Sequence, residues 1–188
     1  MHSSIKILAC ILLLSSPLAM ASAPAADQPL PVLKIAERGE MVLSGDDISY
    51  RPWSGEVAPG TVHVVQYFAG TNAASEIFQP LTDALREAYP DGGYNVTTIV
   101  NLDEAMWGTS GLVASTLEKN KRKYPKSTFV LDEDGEGKKF WQLDEQGAGL
   151  IIVDPQGTVR YFAQAGLNEQ ELKSTISLVG TYIASVKQ

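Results

Sequence analysis

The chain has 188 residues, 44% of them hydrophobic, with 22 acidic residues against 15 Lys and Arg, a formal net charge of −7 and a single cysteine. That length fits one domain of ordinary size with enough chain to bury a core. The acidic balance and the absence of a long basic run exclude the electrostatic footprint of a nucleic-acid binder and give no hold on an anionic membrane surface.

Residues 1–6 are short and weakly basic, with Lys6 as the charge. An unbroken apolar run covers 7–14, Ser15-Ser16-Pro17 ends it, and small residues follow to Ala23. This is the three-part layout of a cleavable signal peptide, expected to span 1–21 with a cut as late as Ala23 as the alternative. The apolar run is too short to span a bilayer. Cys10 lies inside the run rather than at its end, which argues against a lipoprotein anchor. Cleavage would remove Cys10, leaving no thiol for nucleophilic, redox or metal chemistry. It would also remove His2 and leave His63 as the one histidine.

Residues 22–31 are rich in Ala and Pro and are expected to be a flexible lead-in to a domain over 32–188. Residues 32–35 and 41–43 flank Glu37-Arg38-Gly39-Glu40 and read as a β-hairpin with Gly39 in its turn. Residues 46–60 carry Pro52, Gly55, Pro59 and Gly60 and read mostly as loop. The β-branched and aromatic run 62–68 predicts a buried strand. Thr71 or Asn72 is placed to cap a helix whose inner face is Ile77, Leu81, Leu85 and Ala88, stopped at 89–93.

A second buried strand is expected at 96–100. A helix is expected over 111–123, with Leu112, Thr116 and Leu117 inward. Its basic tail, Lys119, Lys121, Arg122 and Lys123, reads as solvated cations at a helix C-terminus. Residues 128–131 predict a third strand, closed by an acidic turn at 132–137, and residues 138–143 a short helix. A fourth strand at 150–153 turns through Asp154-Pro155-Gln156-Gly157 into a fifth at 158–163. Asn168 then caps a last helix, with Glu171 at the capping-box position. Its apolar stripe is Leu172, Ile176, Val179, Ile183 and Val186.

Strands alternating with helices imply an α/β domain with a mostly parallel sheet and helices on both faces; the final hairpin adds an antiparallel edge. Two chemical signals read as bland. Asp132, Asp134, Glu136 and Gly137 start like a calcium loop, but its twelfth position is Leu143 rather than Glu. His63 has no acid or nucleophile beside it in sequence.

The element order resembles the thioredoxin-like fold in the variety with an N-terminal hairpin and an extra helix–strand pair. The segment Val64-Val65-Gln66-Tyr67-Phe68-Ala69 is similar to the strand that leads into a thioredoxin-like active site. In that alignment the C-x-x-C positions fall on Asn72-Ala73-Ala74-Ser75, so both sulfurs are replaced. Phe129-Val130-Leu131-Asp132, Phe140-Trp141 and Ile151-Ile152-Val153-Asp154 with Gly157 resemble the second half of thiol-disulfide proteins of the TlpA and peroxiredoxin type. The cis-proline of those proteins would fall at Ala148.

A closer resemblance is to the YtfJ family of exported bacterial proteins. It is carried by Arg38-Gly39-Glu40 with Val42-Leu43, Thr97-Thr98-Ile99-Val100-Asn101, Leu117-Glu118 with Asn120-Lys121 and Tyr124-Pro125, and Trp141-Gln142-Leu143-Asp144-Glu145. The resemblance implies a thioredoxin-like fold and a periplasmic location. It carries over no catalytic residue, cofactor or metal.

The expected site is the degenerate cleft, formed by Thr71, Asn72, Ser75 and Glu76 at a helix start and by Trp141, Asp144, Glu145 and Ala148 on the facing loop. Glu76 is expected in the first turn of that helix, where it would offset the dipole. The leading expectation is a non-redox protein that binds a protein or small-molecule ligand, with no nucleic-acid or membrane partner. The alternatives are an enzyme using non-thiol chemistry in the same cleft, and a structural or stress-related envelope component acting through the basic segment 119–126.

Overall fold

Seven strands form one sheet in a computed structural model that describes residues 21–186. The expected signal peptide lies almost wholly outside the described residues. In chain order the elements are β1 Lys34–Ser44, β2 Asp47–Ser54, β3 Val62–Ala69, α1 Asn72–Ser75, α2 Gln79–Ala88, β4 Tyr94–Asn101, α3 Ser110–Lys123, β5 Thr128–Asp132, α4 Glu136–Phe140, β6 Gly149–Val153, β7 Val159–Ala163 and α5 Glu169–Val186. The sheet order is β2-β1-β5-β4-β3-β6-β7. Strands β3, β4 and β5 run parallel, and β1 and β6 flank them antiparallel. This is the α/β arrangement read from the sequence, with a helical crossover between each parallel pair. The sheet is mixed rather than mostly parallel, its parallel pairing confined to the centre, with two parallel and four antiparallel strand pairs.

Because successive side chains on a strand face opposite ways, the sheet carries two cores. On one side Val64, Phe68, Val100, Leu131 and Ile152 pack with Leu81 and Leu85 of α2, Ala114 and Leu117 of α3 and Val179 and Ile183 of α5. On the other, Val65, Tyr67, Ile99, Val130 and Ile151 pack with Leu33, Ile35 and Trp141.

Several local expectations are corrected. Residues 22–31 are not a free lead-in. Ser22 N donates to Phe140 O at 2.9 Å, Asp27 N to Val159 O at 2.8 Å and Val159 N to Gln28 O at 2.8 Å, and Leu30 is buried. Composition hides the reason: the segment covers the second core, which would otherwise face water.

The expected turn at 37–40 is a bulge inside one long strand. Arg38 and Gly39 take φ of 55° and 72°. The pairing with β2 shifts there from Ile35↔Trp53 to Glu40↔Arg51. A Cβ on residue 39 would lie 2.2 Å from Arg51 O, so glycine is required both for its φ and for the close approach. The chain reverses at Gly45, and residues 47–54, read as loop, form β2.

The helix expected after Thr71 is two helices. Pro80, in the first turn of α2, lacks an N–H and fits a new start better than a helix interior. Ala88, expected inward, is exposed. On α3 the inward face is Ala114, Leu117 and Lys121, whereas Leu112 and Thr116 point out. Val186 at the end of the α5 stripe is 46% exposed. The capping box of α5 forms as read, with Glu171 N donating to Asn168 Oδ1 at 2.9 Å and Asn168 N to Glu171 Oε2 at 2.8 Å.

Asp154 closes the β6–β7 turn and gives an acid-stability prediction. Its buried carboxylate accepts from Gln156 N and Thr158 N, each at 2.9 Å, and from Arg160 Nε at 2.7 Å. Burial pushes its pKa up, but the hydrogen bonds from Thr158, Arg160 and Gln156 and the Arg160 charge outweigh that, so the carboxyl sits below its ordinary value. A lowered folded pKa contributes stability above the unfolded value of about 3.9, and that contribution is lost as pH falls through the folded value. Asp154→Asn is therefore expected to cost about 2 kcal/mol at neutral pH, with the gap to wild type shrinking below about pH 4. Urea unfolding across pH checks this; a gap independent of pH would contradict it.

Candidate functional site

The parallel strands β3 and β4 end at Ala69 and Asn101, where an open α/β sheet presents its crevice. Thr71 is extended and caps α1, its Oγ1 accepting from Ala74 N at 3.2 Å. Ser75 Oγ donates to Asn72 O at 2.7 Å, so its hydroxyl is engaged by its own turn. Thr71, Asn72 and Ser75 open into a groove of about 1280 Å³.

That groove does not run toward Ala148. It runs along the sheet between α2 and α3. Its floor is the first-core face of the parallel strands, built from Phe68, Val96, Val100 and Phe129 with one polar pair, Gln66 and Thr98. Gln66 Nε2 donates to Thr98 Oγ1 at 2.6 Å, which ties the two polar residues together across β3 and β4. Strands β3 and β4 turn alternate positions to the first core, Val64, Gln66 and Phe68 on one and Val96, Thr98 and Val100 on the other. The two polar residues on these otherwise apolar faces are the signal in the sequence that this floor differs from an ordinary core. Met106 and Leu112 stand at the strand-end mouth, 70% and 71% exposed.

The far end is closed by aromatic and basic groups. Arg86 lies 4.9 Å and Lys123 5.0 Å from the Tyr124 ring centroid, within cation–π range. Arg86 also pairs with Asp83 at 2.8 Å. Tyr94 faces this end, its hydroxyl pushed up by burial and held back by Arg86.

The remaining expected site residues lie elsewhere. Glu76 is the C-cap of the four-residue α1, not in its first turn, so the expected dipole compensation is absent. Trp141 is fully buried on the opposite face of the sheet. Its Nε1 donates to Pro31 O at 3.1 Å, and its ring meets Tyr67 edge-on at 6.1 Å. Asp144 and Glu145 are exposed. Asp144 Oδ1 accepts from Gln146 N at 3.0 Å, and the Glu145 carbonyl accepts from Lys138 Nζ at 3.1 Å. Ala148 is buried in the first core. The structure therefore brings Thr71, Asn72 and Ser75 together along the groove, and leaves Glu76, Trp141, Asp144, Glu145 and Ala148 outside its lining.

Sequence reading misses a tie between the strand ends. Asn101 Nδ2 donates to Glu104 Oε2 at 3.1 Å, and Glu104 pairs with Lys138. These groups satisfy one another and hold the loop after β4 to α4. The basic segment is also not uniformly solvated. Lys121 is buried and donates to Pro125 O at 3.1 Å and Ser127 O at 2.8 Å, and burial lowers its pKa. His63 is buried with Nε2 2.9 Å from Ala58 O. Among the described residues no three His, Cys, Asp or Glu side chains are grouped to hold a metal ion, and no helix is long and apolar enough to cross a membrane.

Comparison with known proteins follows the same lines. The family model described as "Bacterial protein of unknown function (YtfJ_HI0045)" matches residues 25–182. The chain is 37% identical over 175 residues to the uncharacterized protein YtfJ of Escherichia coli K12, covering 93% of this chain and 95% of that one. It is 35% identical over 154 residues to an uncharacterized protein of Haemophilus influenzae, covering 81% and 84%. Among solved structures, the thioredoxin domain of a thiol-disulfide oxidoreductase from Bacteroides vulgatus superposes with a TM-score of 0.55 at 13% identity, covering 83% of this chain and 98% of that one. AhpC of Mycobacterium bovis superposes with a TM-score of 0.53 at 14% identity, covering 85% and 94%. At those identities the structural likeness shows a thioredoxin-like fold.

Proposed function

Since the chain belongs to the YtfJ_HI0045 family, described only as bacterial proteins of unknown function, we propose from its own geometry that it is an exported, non-redox thioredoxin-like protein that acts by holding a ligand between α2 and α3. The observation that carries this reading is the groove of about 1280 Å³. It is larger than the roughly 300–1,000 Å³ of ordinary small-molecule pockets, and it opens beside the helix start where Asn72 and Ser75 stand in place of two thiols.

Export to the periplasm rests on the layout of residues 1–21, and loss of thiol chemistry on Cys10 falling within that segment. The non-thiol enzyme reading loses its geometric support. Ser75 Oγ is spent on Asn72 O, and Asp144 and Glu145 do not share the groove with it.

The test uses protein exported by a bacterial host and recovered by osmotic shock. It should begin near Ser22 and leave dithiothreitol reduction of insulin unaccelerated. Native mass spectrometry should find a co-purified adduct that Thr116→Trp, an exposed groove-lining position filled with an indole, no longer carries. Insulin turnover, or an adduct indifferent to Thr116→Trp, would overturn the reading.

A further inference from the structure

We propose that the α2–α3 groove is a site for a long-chain fatty acid, with the acyl chain on the sheet floor and the carboxylate at the Tyr124 end. The inference deepens, and rests on, the reading of this groove as a ligand site.

Charge is distributed unevenly along the groove. At its strand-end mouth stand Met106 and Leu112, and Trp107 beside them is 100% exposed. Met106 and Leu112 line the groove itself, whereas Trp107 adjoins Met106 in sequence outside the lining, and large apolar side chains left exposed at a groove mouth are candidates for contact with a ligand. At the other end Arg86, Lys123 and Lys126 line the wall against Asp83 and Asp91, and Asp83 is already paired with Arg86. An apolar floor, bordered by hydroxyl and amide side chains such as Thr82, Thr116 and Asn120, thus leads to a cationic end, the mirror of an anionic amphiphile.

The length agrees. From Leu112 to Lys123 helix α3 rises about 16 Å at about 1.5 Å per residue. One acyl chain spans half of a hydrocarbon core about 30 Å thick.

The floor also discriminates against an extended peptide. Strand β3 is paired on both sides by β4 and β6, β4 by β3 and β5, and β5 by β4 and β1. The backbone of the floor is therefore committed, and the one polar pair on it, Gln66 and Thr98, already makes a hydrogen bond between its members. A peptide laid on this surface would bury its own N–H and C=O groups without backbone partners. An acyl chain has none to satisfy. Only its carboxylate needs partners, and guanidinium and ammonium groups supply charge-assisted hydrogen bonds.

The experiment is equilibrium dialysis with labelled palmitate against the purified exported protein, with hexadecanol as the uncharged chain. Wild type should bind palmitate saturably at a single site. Thr116→Trp should weaken both ligands about tenfold or more, and Arg86→Glu with Lys123→Glu should weaken palmitate about tenfold while moving hexadecanol by less than about threefold. Circular dichroism and the unfolding midpoint verify that each variant is folded. No saturable palmitate binding, palmitate binding unaffected by Thr116→Trp, or equal losses for both ligands on charge reversal would overturn the proposal. If palmitate fails while the adduct lost in Thr116→Trp persists in wild type, the fatty acid falls and the groove reading stands. If both fail, both fall.

Discussion

Asp132→Ala is expected to lower stability by about 3–5 kcal/mol, the cost of orphaning several buried partners at once. Asp132 is fully buried at the end of β5. Its Oδ2 accepts from Tyr67 OH and Gly137 N, each at 2.8 Å, and its Oδ1 from Glu136 N at 2.9 Å. The residue before α4 is Gly135, which has no side chain to cap the helix, so Asp132 satisfies the free amides of its first turn from four residues upstream. Removing the carboxylate leaves Gly137 N and the Tyr67 hydroxyl without partners in the core, and Glu136 N without one at its edge.

Tyr67 stays neutral throughout the accessible range. Burial, then the Asp132 charge and the hydrogen bond to it, push its pKa far up. The pair is therefore a hydrogen bond to a carboxylate, not a proton shuttle. Tyr67→Phe should cost only about 1–2 kcal/mol, and the double variant less than the sum of the singles, because one orphan is removed with its partner. Urea unfolding at neutral pH measures all three; a loss below about 1 kcal/mol for Asp132→Ala would show that water or another group takes over its bonds.

In the sequence, Asp132 is legible as the end of a strand motif that resembles thiol-disulfide proteins and as the first acid of a turn that fails as a calcium loop. Nothing local announces that Tyr67, 65 residues away, points its hydroxyl at it. The same division runs through the molecule. Continuous β-branched and aromatic runs locate β3, β4, β5 and β6, because these central strands bury residues on both faces of the sheet, and a 3.6-residue apolar stripe locates α5, which buries one face. The reading fails where a residue's role depends on distant chain. Gly39 signals φ > 0 in either a turn or a bulge, and only its fit against Arg51 decides for the bulge. Leu112 and Thr116 read as inward on apolar spacing, yet α3 stands off α2, so that face borders a groove instead of a neighbour. The Ala- and Pro-rich segment 22–31 reads as free because its value lies in covering the Trp141 side of the sheet.

Placement of the site follows the same logic. The strand into Thr71, Asn72 and Ser75 is identifiable from local residues, and these three do open into the groove. The opposing wall is not, because the facing loop suggests it, whereas the groove turns along α3. Arg86, Lys123 and Tyr124 come together from two helix C-termini separated by β4, a juxtaposition that no local window contains.

Trp141→Ala separates a recognition role from a packing role. Trp141 is fully buried, stacks edge-on against Tyr67, and fixes the N-terminal segment through Nε1 to Pro31 O. Truncating a buried Trp leaves a cavity and typically costs about 3–5 kcal/mol; here the loss should also free Leu30 and Leu33 from the second core, so protease cleavage within 21–33 should rise. Trp141→Phe keeps most of the packing and loses the indole hydrogen bond, for about 1–2 kcal/mol. Because Trp141 lies across the sheet from the groove, neither variant should change palmitate affinity by more than about twofold under conditions where it remains folded. A large affinity loss in Trp141→Phe with little loss of stability would reverse that assignment, since it would require the indole to reach a ligand that the sheet now separates from it. Stability and affinity measured on the same two variants therefore decide which face of the sheet carries the ligand.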